Sequence, residues 1–181
     1  LDEKVHISNL INFYKNNELV TIEYVQNQKK IIKKIKLEPK KELIPYLYSN
    51  FEEIDYLVLG GGIFMNLTLN NIMTNKKLLY KIDEDNLYDE KLILSFILPN
   101  SIISVLNNFE NGDIITEVNN KKVKNLKDFK KALKEKYYIN KIRTIKLVNL
   151  NEKIIILDYD ETLKMNKILQ NIYNFTNKNI I

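Results

Sequence analysis

Period-two alternation of apolar and polar residues marks two matching stretches of this chain, and helical spacing precedes each of them. Thr21-Ile22-Glu23-Tyr24-Val25-Gln26-Asn27-Gln28-Lys29-Lys30-Ile31-Ile32 aligns without gaps on Thr144-Ile145-Lys146-Leu147-Val148-Asn149-Leu150-Asn151-Glu152-Lys153-Ile154-Ile155, with six of the twelve positions identical. Each copy reads as a hairpin: an alternating strand, a polar turn containing Asn, and an Ile-rich strand. Ahead of the first copy, Leu10, Ile11, Phe13 and Tyr14 fall at helical spacing after the potential cap Ser8. Ahead of the second, Leu126, Phe129, Lys130 and Leu133 do so after Asn125. A helix–strand–turn–strand unit therefore occurs twice, and a repeat of this size decides the architecture.

The first unit is too small to bury a core of its own, so it reads as the end of a domain whose beginning lies upstream. Pro39 and Pro45 mark a linker at 39–46, because each removes a backbone donor and biases its predecessor to extended structure. Beyond it, the strand Tyr56–Leu59 meets Gly60-Gly61-Gly62 and a second strand from Ile63. Three of the chain's four glycines stand together there, which implies positive φ or a close backbone approach. Residues 68–90 are polar and read as a mobile insertion with one helical turn at Lys76–Lys81. A buried strand is expected at Leu92–Leu98 and a short helix at Ser101–Leu106. Asn111-Gly112-Asp113 reads as a turn into the strand Ile114–Val118, and Asn119-Asn120 as the next tight turn. After Tyr159, the residues Met165, Ile168, Leu169 and Ile172 form an amphipathic helix that Asp158 or Asp160 can cap.

Composition narrows the chemistry. The 181 residues suffice for one good-sized domain or two small ones, and 28% are charged. There is no cysteine and a single histidine, His6, so thiol nucleophiles, Cys-ligated zinc and iron–sulfur clusters are excluded, and His-rich metal sites with them. A Ser-His-Asp site would need His6, which has no partner motif and reads as a helix-start or surface residue. No catalytic residue, metal site or cofactor is expected, and neither a signal peptide nor a membrane-spanning run is visible. The net charge of +5 rests on Lys, with Arg143 the single arginine. Scattered Lys among Asp and Glu reads as solvated surface, not as a base-reading face, so nucleic acid and membranes are not the expected partners. The eleven tyrosines are dispersed and read as core edges.

The run from Asn111 to Phe129, with Gly112-Asp113, the alternating Ile114–Val118, the Asn119-Asn120 turn and the helix after Asn125, resembles the signature of PDZ domains in Deg/HtrA serine proteases. Asn120 stands where that family usually has Gly, and Asn is the next-best residue for a left-handed position. Tyr56–Thr68, with its glycines, resembles the opening of the second PDZ domain in the plant and protozoan DegP-like branch, and Ile154–Tyr159 with the Lys-rich helix resembles that branch's C-terminus. The family's Gly-Asn-Ser-Gly-Gly catalytic segment has no counterpart here.

The resemblance implies an α+β, mainly β fold: a PDZ-like, partly open β-barrel with flanking helices, preceded by a partial PDZ unit. The expected layout is the end of a first PDZ domain at 1–38, the linker at 39–46, a second PDZ-like domain at 47–160 and a C-terminal helix and tail at 161–181. It further implies a non-catalytic region of a homo-oligomeric protease acting in protein quality control, with sister subunits and extended or misfolded polypeptide segments as partners. A PDZ domain takes an extended peptide as an added strand, with amides of a glycine-rich turn receiving the terminal carboxylate. The implied peptide-binding residues are Leu59, Gly60, Gly61, Gly62, Ile63, Phe64 and Met65, with Leu126 and Lys130 across the groove. The stripe Met165, Ile168, Leu169 and Ile172 is the candidate oligomerisation surface, and assembly is favoured over peptide capture. The runner-up reading is a basic nucleic-acid- or acidic-lipid-binding module that uses the eight lysines between Lys121 and Lys136.

Overall fold

The computed structural model describes residues 14–15, 17–37, 44–48, 51–82 and 89–175. His6, most of the helix expected after Ser8 and most of the linker lie outside the described residues, as does the end of the tail. The chain forms two compact units, Leu1–Glu42 and Leu43–Ile181.

In the first unit, β1 (Leu19–Gln26) and β2 (Lys29–Lys36) pair as an antiparallel hairpin. Its turn residues Asn27 and Gln28 have φ of 50° and 62°, the two-residue turn whose twist matches the flanking strands. The second copy of the repeat is β9 (Ile142–Asn149) and β10 (Ile154–Asp158). Its register is one residue out of step with the first: Val25 faces Lys30, whereas Val148 faces Ile154 and not Lys153. The extra loop residue is accommodated by Glu152 at φ 60° and by the Asn149 Oδ1, which accepts from the amides of Asn151 and Lys153.

The second unit is built on a sheet ordered β10-β9-β6-β5-β4-β3. The added strands are β3 (Tyr56–Leu59), β4 (Gly62–Asn66), β5 (Leu92–Ile97) and β6 (Asp113–Val118). The short strands β7 (Lys121–Lys122) and β8 (Tyr137–Ile139) pair with β6 and β9. The path does not close, because β3 and β10 end it without pairing to each other. This is the mainly β, partly open barrel expected. Among the described residues four α-helices accompany it: α1 (Leu69–Thr74), α2 (Ile102–Leu106), α3 (Leu126–Lys134) and α4 (Tyr159–Tyr173). Their caps are local: Ser101, Asn125 and Asp158 each accept from the backbone amide three residues on, as at a helix N-terminus. Helix α4 packs against β3, β9 and β10, so it lies across the gap between the two sheet edges.

Both faces of the central strands are buried. Leu92, Leu94, Ile115 and Val118 join the main core with Phe64, Phe129, Leu147 and Leu157. Ile93 and Ile114 point the other way, into a second cluster with Met65, Leu67, Ile72, Leu78 and Ile82. Residues 69–82 of the expected mobile insertion are therefore packed: α1 and a 3₁₀ turn at Lys76–Lys81 cover the back of the sheet. Leu78 is 1% exposed, and burying such a side chain stabilises by roughly 2 kcal/mol. Thr68 and Asn71 start α1 with reciprocal side-chain-to-backbone bonds.

Asp113 ties this layer down. Its Oδ1 accepts from Lys81 Nζ at 2.9 Å, and its Oδ2 accepts from Glu110 N–H and Asn149 Nδ2, each at 3.0 Å. Burial by itself would raise the carboxyl's pKa. The Glu110 amide, the bonds from Lys81 and Asn149 and the Lys81 charge outweigh it and hold the pKa below the usual carboxylate value.

Candidate functional site

The candidate groove is built around the hairpin β3–β4. Gly60 and Gly61 form its two-residue turn with φ of 57° and 89°, so positive φ is one reason for glycine here. Close packing is the other: a Cβ on Gly61 would overlap Ser101, a fully buried residue that caps α2. The turn is enclosed on several sides. Gly60 C=O accepts from Ile103 N–H at 3.1 Å, and Gly61 C=O accepts from Leu98 N–H at 2.8 Å. Gly60 N–H donates to Asn166 Oδ1 of α4 at 2.9 Å.

Strand β4 is hydrogen-bonded on both sides. Ile63, Phe64 and Met65 face Val58, Leu57 and Tyr56 of β3, and on the other side Phe96, Leu94 and Ile93 of β5. A strand has two edges. None is left along Ile63–Met65 for an added ligand strand, which corrects the expectation that a peptide joins the sheet there. The position is filled in cis by β3, whose Leu57 and Leu59 share the main core with Leu126, Phe129 and Leu133 of α3.

The other implied residues are distributed as follows. Phe64 is fully buried, with its ring 4.8 Å from that of Phe129. Leu59 and Leu126 are core residues at 2% exposure, and the Leu126 N–H donates to Asn66 Oδ1 at 2.7 Å. Lys130 is half-buried and its Nζ lies 2.9 Å from Asp55 Oδ1, at the approach to β3. In the Lys121–Lys136 stretch, Lys121 also has an acidic partner, Glu135 at 3.5 Å. The C-terminal stripe divides. Leu169 is buried and Met165 half-buried against Val58 and Leu98, whereas Ile168 and Ile172 are 53% and 65% exposed. Among the described residues, no cluster of three or more His, Asp or Glu could hold a metal ion.

Asn66, Ser101 and Asn166 are the site residues that reading the sequence missed. Asn66 and Ser101 give no long-range signal, since each acts on a segment far along the chain. Asn166 did leave one: it is a polar residue on the inward stripe of an amphipathic helix, one turn before Leu169.

A glycine turn feeding a strand, a helix packed alongside it and a partly open antiparallel barrel make up the domain, and comparison places it in a family. Residues 45–178 match the PDZ domain family, and the chain belongs to that family. It is similar to the "Serine protease DegP homolog" of Plasmodium falciparum (isolate 3D7), with 30% identity over 154 residues. That alignment covers 80% of this chain and 17% of the relative, so the chain spans about a sixth of the relative's length.

Proposed function

We propose that this chain is the non-catalytic PDZ region of a Deg/HtrA-type serine protease acting in protein quality control, and that its second PDZ unit serves assembly of the protease's subunits. The observation that carries this is the double pairing of β4: a domain whose groove strand already has two neighbours does not gain a ligand by strand addition there. The likeness to a DegP homologue supports the parent protease, and the exposed Ile168 and Ile172 of α4 supply the apolar surface for subunit contact. Light scattering over a concentration series tests it with the wild type and with Ile168→Asp combined with Ile172→Asp. Both sites are solvent-facing, so the variant keeps its fold. The wild type is expected to self-associate and the variant to be monomeric. A wild type that stays monomeric at every concentration, or a variant that associates equally well, refutes the assembly role.

A further inference from the structure

The buried face of α4 carries an amide where an apolar side chain would pack. Asn166 is 2% exposed; its Oδ1 accepts from Gly60 N–H at 2.9 Å and its Nδ2 donates to the Val58 carbonyl at 3.2 Å. Both backbone groups lie on the outer edge of β3. In a hairpin with a two-residue turn, the residues flanking the turn form a hydrogen-bonded pair, here Leu59 and Gly62. Leu57 and Leu59 thus direct their amides and carbonyls at β4, and Val58 directs its own outward.

Donating to the carbonyl before Leu59 and accepting from the amide after it is the pattern one residue of a parallel strand would supply. The Asn166 carboxamide stands in for the residue of such a strand that would lie opposite Leu59. Around it Leu169, Met165 and Phe175 pack with Val58, Leu98, Tyr56 and Ile63, an apolar surface suited to the side chains of an extended segment. Displacing β3 itself would uncover Leu57, Val58 and Leu59, all at 3% exposure or less, so β3 stays and α4 is the weaker partner.

We infer that the outer edge of β3 is a strand-binding edge which the chain's own C-terminal helix occupies, and that an extended apolar polypeptide segment running parallel to β3 competes with α4 for it. Asn166 is the group such a segment displaces. This goes beyond the assembly role, which rests on the opposite, exposed side of α4 and can fail independently.

Residue-resolved amide exchange by NMR on the full chain tests it, with wild type, Asn166→Ala and Leu169→Ala. In both variants Gly60 N–H is expected to exchange faster, by roughly ten- to hundredfold for Asn166→Ala, the factor that two lost hydrogen bonds correspond to. The Leu94 and Ile115 amides in the centre of the sheet keep their protection. A short fluorescein-labelled peptide of alternating Val and Thr is expected to bind the variants more tightly than wild type, in proportion to the opening at Gly60. Acceleration of Gly60 only in step with Leu94 and Ile115 would overturn the proposal, and so would unchanged peptide affinity in a variant whose Gly60 amide has opened. If Asn166→Ala fails to fold, Leu169→Ala carries both measurements, since it loosens the helix with the hydrogen bonds still in place.

Discussion

Replacing Asp113 by Asn keeps the side-chain volume and removes one acceptor and the charge. The carboxylate receives three side-chain or backbone donors on two oxygens: Lys81 on Oδ1, and Glu110 N–H with Asn149 on Oδ2. An amide has one oxygen, so whichever way the new side chain turns, its NH₂ faces either the Lys81 ammonium or the Glu110 and Asn149 donors. Losing a charge-assisted hydrogen bond at a buried position costs about 1.5–3 kcal/mol. Removing one partner of a fully buried pair would cost more, but the Lys81 side chain is 25% exposed and can regain water. The expected loss at neutral pH is therefore about 2 kcal/mol, out of a total for such a domain of roughly 5–15 kcal/mol. The sign of the pH dependence follows from the depressed pKa of Asp113 in the folded state. Its stabilisation is complete above the unfolded-state value near ~3.9 and is lost as pH falls through the lower folded-state value. Urea unfolding of both proteins at neutral and strongly acid pH measures this. The gap between them should be about 2 kcal/mol at neutral pH and close as Asp113 itself becomes protonated. A gap of the same size in strong acid, or none at neutral pH, refutes the assignment of Asp113 as an ionised latch.

Further substitutions separate the roles of neighbouring residues. Gly61→Ala places a Cβ at positive φ and into buried Ser101, so thermal unfolding should show a loss of at least ~3 kcal/mol; an unchanged transition would mean that the turn is not packed against α2. On α3, Leu126→Ala should cost about 3 kcal/mol in urea unfolding and Lys130→Ala no more than about 0.5 kcal/mol, because Asp55, the partner of Lys130, is 74% exposed. The reverse ranking would remove Leu126 from the core.

Turns and caps were legible in the chain because each is decided within a few residues. Gly112 at φ 88°, and Asn119 and Asn120 at 49° and 64°, occupy the left-handed positions that their small or amide side chains tolerate. Asn125 and Asp158 cap the helices that follow them, and the period-two runs became strands. The gapless repeat identified two hairpins, yet it gave no hint of the one-residue difference in their register, which depends on how each turn closes.

The sequence by itself thus determined which segments are strands and helices and where they turn, since steric limits on φ and the reach of a capping side chain act locally. It also carried the order of elements from which the PDZ family was read. Only the tertiary structure decided which strand edges are filled. The apolar runs Tyr56–Leu59 and Ile63–Leu67 on either side of the glycines read as strands, and such runs are silent on whether an edge is paired by the chain or left for a ligand. Likewise the apolar stripe of α4 predicts burial of one side, and only packing shows that Leu169 and Asn166 turn inward while Ile168 and Ile172 stay in solvent. The partners of Asn166 lie 106 and 108 residues away in the chain, and such a contact forms because the folded barrel buries two backbone groups that must be satisfied, a demand that arises only once β3 is in place.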